Sequence, residues 1–280
     1  MCNFVGEVGA LWRYPVKSLL GERIPAAEVT DRGLAGDRRF ALLDRETGKV
    51  ASAKSPRLWR ELLRCTAATA GTGARITAPD GTTWDSADAH VHDGLSAFLG
   101  RKVTLTDVPP PGATLHRSRP EEVLEAGLDA EVAADVVQFG SAAPPGTFFD
   151  FAPVHLVTTS TLRRIAALSP RGTVEAERYR PNLVIDTAGE AEGFLENAWF
   201  GEKLAVGDEV VLRVMAVTPR CAVPTLAHGR LPRDPDALRV PARHNRVPAL
   251  PGRAPDPCAG VYAQVVRGGR IREGDAVRLV

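Results

Sequence analysis

The apolar runs in this chain are short, and turn residues close nearly all of them. Phe4–Trp12 is apolar and glycine-punctuated, which reads as a strand. Beyond Arg39 an apolar alternation reads as a second strand. Arg45-Glu46-Thr47-Gly48 then turns and Lys49–Ser52 returns as a hairpin. Arg75–Ala78 and Thr82–Trp84, joined by Pro79-Asp80-Gly81, read as another hairpin, and Val103–Val108 as a further strand. Pro56–Arg64 is an exception, a short helix with Leu58, Trp59, Leu62 and Leu63 on one side. Cys65 follows in an apolar run and is assigned to the core. Strands this short, spaced regularly by turns, are the mark of a barrel or sandwich. The expected fold class is mainly β (α+β), with a few short helices.

The pattern stops at Pro109-Pro110-Pro111-Gly112. Residues 1–115 are therefore expected as one domain, 116–150 as a connector with one helix over Glu121–Val136, and 151–280 as a second domain. In the second half, His155–Thr159 reads as a strand, and Ser160 as the N-cap of a helix to about Leu168. Leu226–Pro257 reads as a long loop. It holds His228 and His244, for which a solvated loop position is the commoner role and a catalytic one the rarer.

Composition excludes several classes. The 280 residues carry a formal net charge of +1, which argues against a nucleic-acid or membrane-surface partner. No apolar run approaches the length of a membrane span. Cys2, Cys65, Cys221 and Cys258 are far apart, with no C-x-x-C pair, so neither a local zinc or iron–sulfur site nor a disulfide framework is expected. Glu7, Arg13 and Lys17 interrupt any N-terminal leader pattern. A cytoplasmic protein with reduced thiols, and a monomer, is expected.

Four stretches concentrate chemistry. Cys221 ends the strand-like run Val210–Val217, in Thr218-Pro219-Arg220-Cys221-Ala222-Val223-Pro224. Two prolines stiffen that backbone and cannot extend a ladder, so the thiol is presented by a rigid loop edge. A lone cysteine is more often a small buried hydrophobe. Lys17-Ser18, after Pro15, suits a phosphate, although most such pairs are solvated surface. Asp37-Arg38-Arg39 is either a surface pair or an arginine fork aimed at an anion. Arg178, Arg180 and Asn182, if extended, share one face. Two guanidiniums and an amide on one face call for solvent or for a shared anionic partner. Cys258, entering the last strands, is the only other thiol considered for the site.

These stretches lie in one order: Tyr14-Pro15-Val16-Lys17-Ser18, Gly33-Leu34 with Asp37-Arg38, Arg180-Pro181-Asn182, Trp199 with Gly207-Asp208, Arg220-Cys221, Gly260-Val261-Tyr262 and Gly274-Asp275. In that order and spacing the chain resembles the MOSC family with its N-terminal MOSC β-barrel domain. This is the family of amidoxime-reducing components and of the C-terminal domain of molybdenum cofactor sulfurases. The resemblance implies a MOSC β-barrel domain and a mononuclear molybdenum on one molybdopterin. It implies Cys221 as metal ligand and catalytic centre, and Lys17, Ser18, Arg38, Arg180, Asn182, Arg220 and Tyr262 around the cofactor. Pro219 stands where animal relatives carry serine. The implied reaction is reduction of a small N-hydroxylated or N-oxide compound by oxygen-atom removal. Electrons would come from a separate protein of ferredoxin, flavoprotein or cytochrome type, since no cysteine cluster for a [2Fe–2S] centre is present. The alternative is a cofactor carrier or sulfur-transfer protein using Cys221. A third reading is a metal-free anion-binding module.

Overall fold

The computed structural model describes residues 3–138, 142–187, 189 and 192–280. Cys2 lies outside them. The central element is a closed barrel of seven strands. Its order is Val154–Thr158, Leu183–Thr187, Asn3–Arg13, Ala276–Leu279, Lys203–Val206, Val210–Pro219 and Pro255–Arg267, which pairs back to Val154–Thr158. Closure leaves no free edge among these strands. All pairings are antiparallel except Val154–Thr158 with Leu183–Thr187. A parallel pair needs a crossover, and the helix Thr159–Leu168 supplies it. Its N-cap is Thr158, whose side chain accepts from Thr161 N, and not the expected Ser160. The buried Glu196 carboxylate accepts from both Thr158 and Thr161 hydroxyls at 2.7 Å. The barrel core is filled by alternate inward residues, among them Leu11, Leu156, Leu183, Ile185, Leu212, Val214 and Val261.

The expected division at 115 does not follow the strand pairing. Asn3–Arg13 is a stave of the barrel built by the second half, and Ala26–Thr30 pairs with Gly269–Arg272. Strands come from wherever the apolar pattern finds a partner, so the chain starts in one barrel and returns to close it. The remainder of the first half has its own core around Leu42, Trp59, Leu62, Ile76, Leu95 and Leu105. Small sheets enclose it, Ala41–Asp44 with Val103–Thr106 and Thr66–Ala70 with Gly73–Thr77 and Thr83–Asp85. The helix expected over Pro56–Arg64 is present as one α-turn, Pro56–Trp59, continued by a 3₁₀ turn, Arg60–Arg64.

Two segments correct the sequence reading. The connector helix is only Pro120–Ala126, ended by Gly127 at φ 94°. The residues beyond it form a hairpin strand, Ala134–Gln138, against Thr114–Ser118. Val136 and Val137 are β-branched, and the pairing to Leu115 and His116 outweighs the helical pattern. The stretch read as a loop, Leu226–Pro257, contains the helix Asp236–His244 and the strand Arg246–Pro248. Pro235 and Pro241 hid that helix, yet Ala237 and Val240 pack against Ile165 and Tyr179, and Leu238 is buried as well. A further cluster joins the halves, where Leu63 and Ala53 meet Val223 and Leu226, with Cys221 packed at its margin. Among the described residues no helix is long and apolar enough to cross a membrane.

Gly260 shows how tightly the barrel wall is packed. Its φ is +79°, and an added Cβ would lie 2.5 Å from Leu156 O and 2.7 Å from His155 Nε2. Backbone on one side and an anchored ring on the other leave no room to yield. Gly260→Ala is expected to cost about 2 kcal/mol or more. At roughly 2–4 °C per kcal/mol for a chain of this size, thermal denaturation should show a midpoint lower by several degrees. An unchanged midpoint would contradict the packing described here.

Candidate functional site

Strand Val210–Pro219 ends with Pro219 opposite Cys258. Arg220 N donates to Pro257 O at 2.8 Å, so the backbone is still tied one residue before the thiol. Thr225 then donates to Ala222 O from both N and Oγ1, at 3.0 and 2.7 Å, and closes a 3₁₀ turn, Val223–Thr225. The half-buried Cys221 side chain is held between these ties and lines a cavity of about 690 Å³. Cys258 points into the barrel core instead and is fully buried, its thiol pushed up to about 11 by burial. Cys65 belongs to the core of the first half.

The cavity collects residues from both halves. Lys17, Ser18 and Arg38 line it from one side, and Arg180, Asn182, Arg220, Cys221 and Tyr262 from the other. These eight residues, named together from the sequence, therefore line one cavity, whereas Asp37, Arg39 and Cys258 do not. Their local backbone is unusual. Ser18, Arg38 and Arg180, at φ 66°, 45° and 55°, are the only non-glycine residues with positive φ among the described residues. Left-handed backbone is unfavourable for side-chain-bearing residues and persists only where surroundings fix it. Here they do. Ala53 N donates to Ser18 Oγ at 3.2 Å, Arg38 N to Tyr14 O at 2.7 Å, and Arg180 N to Glu177 O at 3.1 Å.

The extended reading of Arg178–Asn182 is overturned. Ala176–Tyr179 is a 3₁₀ turn, Arg180 is left-handed, and the strand begins only at Leu183. Pro181 disfavours a right-handed helical Arg180, which ends the turn there. The fully buried Arg178 donates to Glu175 and to the carbonyls of Leu226 and Pro232. Arg180 reaches the opposite half and donates to Leu19 O at 2.7 Å. The Asn182 amide ties His155 N to Trp12 O.

Tyr14 is the meeting point of the two halves. The Arg38 and Arg180 guanidiniums lie 4.5 and 4.4 Å from its ring centroid, within cation–π range. Arg38 also donates to Asp37 at 2.5 Å and to Arg180 O at 3.1 Å. Burial, with Arg38 adding to it, pulls Arg180 down to about 10. Tyr14 itself is buried and does not line the cavity.

Asp150 and Lys54 complete the cationic wall, and both escaped the sequence reading. Lys17 and Lys54 each contact Asp150 Oδ1 at 2.8 Å, and Lys17 donates to Phe148 O as well. Burial opposes the Asp150 charge, but the two ammoniums overcome it and hold the carboxyl well below its usual range. Burial lowers Lys17 to about 8. It works against Lys54 too, where Asp150 more than offsets it and the pKa rises. A lone carboxylate inside Phe148-Phe149-Asp150-Phe151 was the available signal.

Arg220 turns inward rather than to the other face. It donates to Ala259 O and Tyr179 O, and its Nη2 lies 2.5 Å from His155 Nε2. A guanidinium has only donors, so Nε2 accepts and Nδ1–H faces Arg180 O at 3.4 Å. Burial and Arg220 together push His155 well below its ordinary value, so the ring is neutral. Tyr262 packs on His155, and burial raises its hydroxyl pKa. Of the two histidines named earlier, His228 is buried, bonded to Leu226 O and pushed down to about 4 by burial, and His244 is exposed at a helix end. Neither lines the cavity.

In total the cavity is lined by eight lysines and arginines against two aspartates, with a single thiol. Such a wall is complementary to an anion. Among the described residues no three His, Cys, Asp or Glu side chains converge as a metal cage. Cys221 is therefore the one soft donor that this cavity offers.

Comparison with known proteins gives the class of the chain that carries this barrel and cavity. The description "MOSC N-terminal beta barrel domain" matches residues 5–104, and "MOSC domain" matches residues 143–278. The chain belongs to the MOSC family. Mitochondrial amidoxime-reducing component 1 of Homo sapiens is 26% identical over 99% of this chain and 83% of its own length. Mitochondrial amidoxime reducing component 2 of Rattus norvegicus is 24% identical over 98% and 83%. Among solved structures, the YUAD protein from Bacillus subtilis aligns over 100% of this chain and 98% of its own, at 12% identity and a TM-score of 0.47.

Two outcomes follow from the electrostatics. Lys17 lies near 8 in the folded chain against an ordinary 10.5. Between those values the unfolded chain binds the extra proton, so this group's contribution to stability rises with pH across the window. Anion binding moves the other way, because it needs the ammonium. Sulfate, a dianion throughout, should bind severalfold more weakly at pH 9 than at pH 7 by calorimetry. A flat profile would exclude Lys17 from the anion site. Separately, Tyr14→Leu should weaken sulfate about five- to tenfold, roughly 1 kcal/mol of lost cation–π support. Tyr14→Phe keeps the ring and should stay within about twofold. Equal losses in both variants would exclude the ring as the platform.

Proposed function

We propose that this protein is a molybdenum-cofactor-dependent reductase that removes the oxygen atom from N-hydroxylated compounds. The observation that carries the reading is the single thiol, Cys221, set on a rigid loop in a cavity with a large excess of positive charge. The family membership and the relatives named as amidoxime-reducing components support it. Cys221 would be the metal ligand. Lys17, Ser18, Arg38, Arg180 and Asn182 would hold the pterin and its phosphate, with Arg220 and Tyr262 beside the thiol. When bound, the molybdenum centre supplies two-electron chemistry and an acceptor for oxygen.

The protein's own groups have defined tasks in this reading. Converting N–OH to N–H consumes two electrons and two protons and releases water. Asp150 stays ionised and can accept a hydrogen bond from a substrate N–H or O–H. Lys17, at about 8, holds a proton that it can release near neutral pH. His155 is neutral and fixes Arg220, so the residue before the thiol does not swing into the cavity. Phe149, Phe151 and Tyr262 provide apolar surface that limits water. Electrons would come from a separate redox protein. A cofactor carrier would need a site that exchanges freely, whereas this thiol is half-buried in a wall built by both halves of the chain.

The test uses protein made in a host competent for molybdopterin synthesis. Wild-type protein should carry near-stoichiometric molybdenum and reduce an aryl amidoxime with an artificial electron donor. Cys221→Ala should lose at least about 100-fold in turnover, because an interaction made at the reacting centre is removed. Metal-loaded wild-type protein that leaves N-hydroxylated compounds unreduced would reject the reductase reading.

A further inference from the structure

Six of the eight cations lining the cavity are already bonded to protein acceptors. Lys17 and Lys54 hold Asp150, Arg38 holds Asp37, and Arg178 holds Glu175. Arg180 and Arg220 donate to main-chain carbonyls. Arg117 and Arg253 differ. Neither guanidinium takes part in an ion pair or hydrogen bond among the described residues. Asp135, directly across the hairpin from Arg117, is instead 3.9 Å from Arg119.

The two arginines come from separate elements. Arg117 lies on the hairpin strand Thr114–Ser118, and Arg253 on the loop between Arg246–Pro248 and Pro255–Arg267. Both line the same cavity as Cys221, in company with Val137, Leu250, Ala254 and one acid, Asp256. Two guanidiniums and one carboxylate leave a net single positive charge beside an apolar surface. That combination suits a monoanion attached to an apolar body. Arginine pairs with a carboxylate through parallel N–H···O bonds, which adds direction to charge.

We propose that Arg117 and Arg253 form a recognition subsite for a carboxylate carried by the substrate, so that the preferred compounds are N-hydroxylated aromatic or aliphatic acids rather than their neutral analogues. This rests on the reductase reading for the chemistry at Cys221, but the subsite itself is a matter of binding. Both guanidiniums line the cavity that holds Cys221, so a substrate can place its carboxylate on them and its N–OH group toward the thiol.

The experiment compares an aryl amidoxime with its ring-carboxylated analogue, and the corresponding amidines as unreactive products. The holoprotein is assayed with an artificial donor for KM, and the amidines are titrated by calorimetry for Kd. The carboxylated member of each pair should bind about tenfold more tightly at low ionic strength, about 1.4 kcal/mol. Added salt should shrink the preference, because the arginines are partly exposed. Arg117→Gln and Arg253→Gln should each reduce the ratio severalfold, and the double variant should bring it within about twofold of one. Arg164→Gln, exposed on the crossover helix and remote from the cavity lining, should leave the ratio as it is. Equal affinities in wild-type protein, or a preference that survives the double variant, would overturn the subsite. Tighter carboxylate binding through both arginines, with no reduction of either amidoxime, would uphold the subsite and reject the reductase reading. Equal reduction of both compounds would do the reverse.

Discussion

The convergence of two guanidiniums on one aromatic ring governs this site. Arg38 and Arg180 belong to different halves of the chain and repel each other, yet both stand over Tyr14. The ring's negative face, the Asp37 carboxylate and the carbonyls of Arg180 and Leu19 together hold them in place. Both arginines, and Ser18 beside them, have left-handed backbone. Each such residue costs on the order of 1–3 kcal/mol, supplied by the surrounding hydrogen bonds and packing. The result is a cationic wall whose side chains are held by the protein's own contacts, which lowers the ordering cost of binding.

Asp150 extends the same logic. It sits between Lys17 and Lys54 and neutralises part of the wall, so the folded chain tolerates a concentration of positive charge that burial would otherwise penalise. The cavity remains net positive all the same. His155 acts on a different group. Because its Nε2 must accept from Arg220, the ring stays neutral, and the arginine next to Cys221 is fixed by Ala259 and Tyr179 as well. The thiol is thus placed by a barrel strand, a pair of prolines and an anchored neighbour.

Much of this was legible in the sequence, for physical reasons. Short apolar runs with turn residues predict a β architecture, and the strand ending at Pro219 places Cys221 at its edge. Lys17, Ser18, Arg38, Arg180, Asn182, Arg220 and Tyr262 were all singled out and all line one cavity. What failed was geometry that depends on distant contacts. Alternation made Arg178 and Arg180 look like a fork, but a left-handed Arg180 separates them. The Asp236–His244 helix was hidden by its prolines, because its stability comes from burying one face. The closure of the barrel by Asn3–Arg13 has no local signal. Lys54 and Asp150 are distant in sequence and meet only in the folded chain.

The most direct test of the Cys221 assignment is X-ray absorption at the molybdenum edge on the loaded protein, with and without Cys221→Ser. Each sulfur ligand contributes a resolvable scatterer close to the metal. Loss of one sulfur scatterer in the variant, with the metal still bound, is the predicted result. An identical sulfur count in wild-type and variant protein would mean that the thiol at the end of the barrel strand is not the metal's ligand.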